Sequence, residues 1–131
     1  LDPVIDYFGM IRLTYGFCSP ALSRKIKGGI APRLDQHSSC ELNTRGQAIC
    51  DRGGAAVDFV VDDEDMHEVA VWIVENVSFD RLYFYGPNRP LHISIGPENS
   101  RVVVWVKKSQ NGKRIPLNMT IEKFREQRFD C

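Results

Sequence analysis

The sequence carries no surplus of either charge: 17 Lys and Arg meet 17 Asp and Glu in 131 residues. That balance excludes a domain that grips nucleic acid by overall charge and leaves only a local basic patch for such a role. No apolar run approaches the ~20 residues of a membrane span. Cys-x-x-Cys is missing, as are G-x-x-x-x-G-K-[ST], G-x-G-x-x-G, G-x-S-x-G and H-E-x-x-H. Those absences remove phosphate-cradling loops, a serine nucleophile elbow and a zincin helix from consideration. No internal repeat or low-complexity tract occurs. No signal-like segment precedes Pro3, and the first residue is Leu1 rather than Met, so the sequence reads as a piece of a longer chain.

What remains is a globular composition, 43% hydrophobic and 26% charged. It suits one soluble domain over residues 1–131 with a core of its own. Cys18, Cys40, Cys50 and Cys131 allow two disulfides by number. A domain this long does not need such staples, so free thiols and a reducing, cytoplasmic setting are favoured. His37, Cys40 and Cys50 form only a fragment of a zinc-knuckle pattern.

Asp2-Pro3 suits a helix start over 3–9. Residues 11–17 alternate as a strand, and Ser19-Pro20 opens a helix over about 19–27 that Gly28-Gly29 would stop. Residues 29–54 have no clean period, and irregular loops of that length are more often functional than not. Residues 55–61 read as a strand with Asp58 on one face and Val57, Phe59 and Val61 on the other. Met66, Val69, Ala70, Ile73, Val74 and Val77 recur at helical spacing and predict a helix of about four turns, opened by Asp62 and Asp63. Strands follow over 80–85, 91–95 and 101–107, then an Asn111-Gly112 hairpin signal with 114–119 as its partner. Thr120 can cap a last short helix. The pattern predicts an α+β fold: a mostly antiparallel sheet of about four to five strands, helices on one side and a long irregular loop.

There are three histidines. His67 lies beside the apolar stripe of the main helix and reads as a solvated helix residue. His92 alternates with Leu91, Ile93 and Ile95, so it points away from the core. Asp58 occupies the outward face of another strand, and His37 sits in the loop that can fold over both. His, Asp and His form a three-ligand set for zinc with an open fourth position. Lys107, Lys108, Lys113 and Arg114 cluster on the last hairpin, where they either touch phosphates or simply solvate the tip.

Three segments occur in an order that resembles the zinc D-Ala-D-Ala carboxypeptidase-like peptidases, related in fold to the hedgehog signalling domain. Residues 13–19, Leu-Thr-Tyr-Gly-Phe-Cys-Ser, are similar to that family's TSGYRS strand end. Asp35-Gln36-His37 resembles its SQH, and Gly54-Ala55-Ala56-Val57-Asp58-Phe59 its GxAxD strand. Arg89-Pro90-Leu91-His92-Ile93-Ser94 resembles the strand that carries its last histidine, and Phe79-Asp80-Arg81-Leu82 a strand between them. The likeness spans residues 10–96. It implies a zinc-dependent hydrolase of amide bonds, acting on a peptidoglycan-type peptide, with His37, Asp58 and His92 as ligands.

The departures from the family pattern carry equal weight. Seven residues before Asp58, where the family has a histidine, stands Asp51, so either His37 or Asp51 supplies the first ligand. The Gln-His dipeptide and the suitability of imidazole for zinc favour His37. Three residues before His92, where family peptidases carry an acidic base, stands Arg89, which cannot accept a proton. Cys18 replaces the substrate-gripping arginine. Asp51, Tyr85, Tyr83 and Glu41 are the remaining candidates for acid or base, and Arg89 becomes a candidate for binding a carboxylate or phosphate. The expected partner is therefore a peptide or small acidic ligand. The rival reading is a ligand-recognition domain that keeps the fold and has lost the chemistry.

Overall fold

The computed structural model describes residues 1–16, 19–23, 25–26, 32–39 and 42–129. Cys18, Cys40, Glu41, Cys131 and the Gly28-Gly29 stop lie outside the described residues. Among the described residues, four helices and six strands follow in chain order: α1 Asp2–Phe8, β1 Arg12–Tyr15, α2 Pro20–Ser23, β2 Ala55–Val60, α3 Met66–Asn76, β3 Arg81–Phe84, β4 Leu91–Ile95, β5 Val102–Lys108, β6 Arg114–Met119 and α4 Ile121–Glu126. Two short 3₁₀ turns, Pro32–Leu34 and Gln36–Ser38, interrupt the long loop before β2.

The α3 helix begins later than Asp62–Asp63. Asp63 sits at φ 65°, a turn conformation, and the cap is Asp65, whose carboxylate accepts from the His67 backbone N–H at 2.7 Å. The helix runs eleven residues, about three turns, and buries Met66, Val69, Ala70, Ile73 and Val74 along one stripe. Thr120 caps α4 by accepting from the Lys123 N–H at 3.2 Å. No described helix is long and apolar enough to cross a membrane.

The sheet has strand order β1-β2-β4-β3-β5-β6. Four of its five pairings are antiparallel, and β3 with β5 is parallel. Six strands exceed the expected four to five. Both edge strands, β1 and β6, fall in the stretches 11–17 and 114–119 already legible as strands, and both join the one sheet although they are almost wholly exposed.

One face of the sheet carries the core. Val4 of α1, Ile73 of α3 and Phe124 of α4 pack with Phe59, Leu82, Phe84, Leu91 and Val103 from the strands. Each such side chain contributes about 1.5–3 kcal/mol through burial. The helices thus occupy one side, as expected. The opposite face is free of these helices, and strand register lays a row of residues across it: Tyr15, Asp58, His92, Tyr83, Val104 and Asn118 are successive cross-strand neighbours. The Gln36–Ser38 turn packs onto β2 over this face.

Candidate metal centre

Asp58 and His92 face each other because β2 and β4 pair antiparallel with those two residues in register. That register depends on Gly54, at φ 80°. A Cβ there would overlap the Ile95 carbonyl oxygen just where the two strands join. His37 arrives from the loop, on a 3₁₀ turn held at several points. The Asp35 carboxylate accepts from the His37 backbone N–H at 3.0 Å. The Gln36 amide donates to the Asp80 carboxylate at 2.9 Å and to the Gly53 carbonyl at 3.3 Å. Ser39 donates its hydroxyl to the Gly54 carbonyl, and Arg52 donates to the Leu34 carbonyl at 2.9 Å. Asp35, Gln36, His37 and Ser38 are all buried.

Three donor atoms then converge. His37 Nε2 lies 3.2 Å from Asp58 Oδ1 and 3.2 Å from His92 Nδ1, and His92 Nδ1 lies 2.8 Å from Asp58 Oδ1. Four ligands at zinc–nitrogen and zinc–oxygen distances of about 2.0–2.1 Å around a tetrahedral ion stand about 3.3 Å apart. The observed triangle is close to that edge length. Hydrogen bonding alone fills it poorly. If both rings donate to Asp58, two N–H groups face each other across 3.2 Å. If one ring is turned acceptor, its lone pair faces the carboxylate. A cation at the centre satisfies all three donors, so the residues fit a metal ion, and the group can hold one.

The surroundings support the rings. Tyr15 meets His37 edge-on at 4.3 Å between centroids, and Tyr83 meets His92 at 5.0 Å. Among the described residues His37 Nδ1 is buried without a hydrogen-bond partner. The Gly16 backbone also favours the protonated ring. Metal-binding imidazoles commonly donate their second N–H to a backbone carbonyl.

The electrostatics follow from packing. Burial pulls the His37 pKa down, but the hydrogen bond and charge of Asp58, with Asp35 further off, outweigh it and leave it raised above 6.5. Burial pushes Asp58 up, and its bonds and charge interactions with His37 and His92 more than reverse this, leaving it below 3.8. Burial, with Asp58 nearby, pushes the Tyr85 phenol up to about 12, against the opposing pull of Arg114.

The cluster sits at the end of a cleft of about 510 Å³, a size usual for small-molecule sites. Tyr83, Tyr85 and Val106 line it, with Leu34, Asp35 and Arg52 from the loop and Arg114 and Pro116 from β6. Of the expected site residues, His37, Asp58, His92, Tyr83 and Tyr85 come together here. Asp51 does not: it lies exposed in the turn before β2, away from the donor triangle. Arg89 does not line the cleft either, since it sits exposed in the β3–β4 turn with its N–H on the Gly86 carbonyl. His67 is not a solvated helix residue. It is half-buried among Phe84, Phe124 and Phe129, with Nε2 2.8 Å from the Phe124 carbonyl. Cys50 is a buried free thiol. Asp35 and Arg52 belong to the cleft although sequence reasoning gave them no site role, and Arg114, weighed there as a phosphate contact, lines it as well. Only Arg114 left a signal, because the Asn-Gly turn fixes the hairpin register.

Comparison with known proteins adds no relative: no family model, curated protein or solved structure matches this chain.

Proposed function

We propose that the cleft is the active site of a zinc-dependent hydrolase acting on an amide bond, possessing the ligand set His37, Asp58 and His92. The observation that carries this reading is the triangle of donor atoms 2.8–3.2 Å apart, opening onto a cleft with Asp58 still partly exposed. Two imidazoles and one carboxylate form the three-ligand arrangement of catalytic rather than structural zinc, which keeps a position for water or substrate. When bound, zinc supplies a Lewis acid and lowers the pKa of its water toward ~7.

The chain's own residues divide the remaining work. Tyr85, with its pKa near 12, keeps its proton throughout the neutral range and offers an O–H donor to charge developing on a carbonyl oxygen. Asp35 is the cleft carboxylate outside the ligand set among the described lining residues, and it is the candidate to accept a proton. Leu34, Val106 and Pro116 provide apolar wall that excludes water from part of the cleft. The resemblance to D-Ala-D-Ala carboxypeptidase-like enzymes points to a peptidoglycan-type peptide as substrate.

A second reading has its own support. The acidic residue expected before the last histidine is Arg89, exposed and outside the cleft. The domain would then bind zinc and a ligand without turnover. A screen of the zinc-loaded protein against short peptides, followed by amine release, separates the two. Turnover that is abolished in Asp58→Ala and cut about 10²-fold in Tyr85→Phe supports the hydrolase. No release from any peptide by zinc-loaded protein rejects it in favour of the binding domain.

A further inference from the structure

At one end of the sheet β5 outruns its neighbour. Its parallel pairing with β3 stops where Phe84 meets Trp105, whereas its antiparallel pairing with β6 continues to Lys108 opposite Arg114. Beyond Trp105 the β3 side of β5 is left open among the described strands. The chain turns off there through Tyr85, Gly86 and Pro87, and the Pro87 carbonyl accepts from the Met66 N–H at 2.9 Å. Which backbone groups face the opening follows from the hairpin. The Ser109 N–H donates to the Lys113 carbonyl at 2.9 Å across the turn, so Ser109 faces β6. Backbone groups alternate sides along a strand, so Lys107 also faces β6 while Val106 and Lys108 face away. Pro116, opposite Val106, has no N–H and fits only a position that does not donate to β5, which fixes the same phase. The Lys108 N–H therefore points to the side that β3 has left.

Three cations surround this notch. Lys107 and Lys108 come from the end of β5, and Arg128 comes from the segment after α4. Arg128 is anchored by its neighbour Phe129, whose ring packs 4.9 Å from Trp105 and 4.6 Å from Phe84 between centroids. The Lys107 ammonium lies 5.6 Å from the Trp105 ring centroid, a contact that uses no acceptor oxygen. Among the described residues none of the three side chains has an ion-pair partner, and no carboxylate lines the notch. Cations gathered in this way repel one another until an anion joins them. The notch encloses about 430 Å³, a small-ligand size, and Trp105, Val106 and Phe129 give it an apolar wall that weakens screening.

We infer that this notch, distinct from the metal cleft, binds a phosphate group, free or as a small ester, through Lys107, Lys108, Arg128 and the Lys108 backbone N–H. A phosphate monoester carries close to two negative charges at neutral pH and three terminal oxygens, so it matches three cations and a backbone donor better than a carboxylate does. The hairpin's basic residues thus divide: Lys107 and Lys108 line the notch, Arg114 lines the metal cleft, and Lys113 lines neither. Tyr85 and Val106 form a wall common to both, so the phosphate ligand lies beside the cleft. The site needs no metal and goes beyond the proposed hydrolysis.

Calorimetry on the full chain at neutral pH compares phenyl phosphate, phenyl sulfate and inorganic phosphate. The sulfate ester has the same ring and shape and about one charge fewer. Phenyl phosphate binds about tenfold or more tighter than phenyl sulfate, and the tighter of phenyl phosphate and inorganic phosphate tells whether an ester or the free ion is the ligand. Lys108 and Arg128 are exposed, so their replacement leaves the core intact. Lys108→Gln and Arg128→Gln each weaken phenyl phosphate about tenfold, the scale of a charge-assisted hydrogen bond, while Lys113→Gln stays within about twofold of wild type. His92→Ala, which disrupts the donor triangle, also stays within about twofold. Equal binding of the two esters, no binding of either phosphate, or undiminished binding in Lys108→Gln and Arg128→Gln overturns the inference. Loss of phosphate binding in His92→Ala overturns it too, by placing the phosphate on the metal. A thymidine tetranucleotide without terminal phosphates that binds more tightly than phenyl phosphate overturns it in favour of a nucleic-acid strand.

Discussion

Asp58 is the residue on which the centre turns. Its Oδ1 is within 3.2 Å of both rings, and its charge outweighs the burial that would otherwise strip the proton from His37. Replacing it by Asn keeps the size and removes the charge. In zinc-stripped protein the His37 pKa then falls from its raised value, because burial is left without its main opponent. A histidine NMR titration checks this, and a His37 pKa that does not fall in Asp58→Asn contradicts the stated cause. At this scale the sequence was informative. Alternation alone put Asp58 and His92 on the core-free faces of two strands, and register then joined them. It did not decide between His37 and Asp51, because residues 29–54 have no period from which a side-chain direction can be read.

The element that matters most is the Gln36–Ser38 turn, which delivers His37 and has little local structure to hold it. Its tether is Gln36 on Asp80, a buried carboxylate that also accepts from the Ser100 backbone N–H at 3.1 Å. Burial raises the Asp80 pKa, and the bonds from Ser100 and Gln36, with Arg81 nearby, more than reverse this and leave it below 3.8. A carboxyl whose folded pKa is depressed stabilises the fold above its unfolded value, and that contribution disappears as pH falls through the folded value. Urea unfolding should therefore show stability falling below pH 3.8 more steeply in wild type than in Asp80→Asn. At pH 7 the variant should be less stable by about 2 kcal/mol, the usual scale for hydrogen bonds to a charged group. Flipping the Gln36 amide cannot rescue it, because the flipped oxygen would then face the Gly53 carbonyl. Equal stability of the two proteins at pH 7 would remove Asp80 from this role. Asp80 appeared in the sequence only as part of a strand start; nothing local announces a partner 44 positions away. The α3 stripe and the Thr120 cap were legible for the opposite reason, since both are properties of adjacent turns.

At the scale of the whole molecule, the zero net charge conceals a division of labour. One face of a six-stranded sheet is sealed by three helices around an apolar core, and the other face collects Tyr15, Tyr83, Tyr85, Arg52, Arg114 and the three donors. The two layers are coupled through β2 and β4, so a change at Gly54 is felt on both. Gly54→Ala should push these strands apart, lower the melting midpoint and weaken metal binding together, as paired calorimetry and metal titration would register; a variant with both unchanged contradicts the close approach to Ile95. An ion that binds only the folded chain stabilises it by mass action, about 2.7 kcal/mol at a free concentration one hundred times its Kd. The most direct test of the account is the metal content of the purified protein at neutral pH, measured by mass spectrometry on wild type and His92→Ala. The account predicts about one zinc per wild-type chain and its loss in the variant. Only a trace of metal in wild type after zinc loading, or an equal content in His92→Ala, would contradict it.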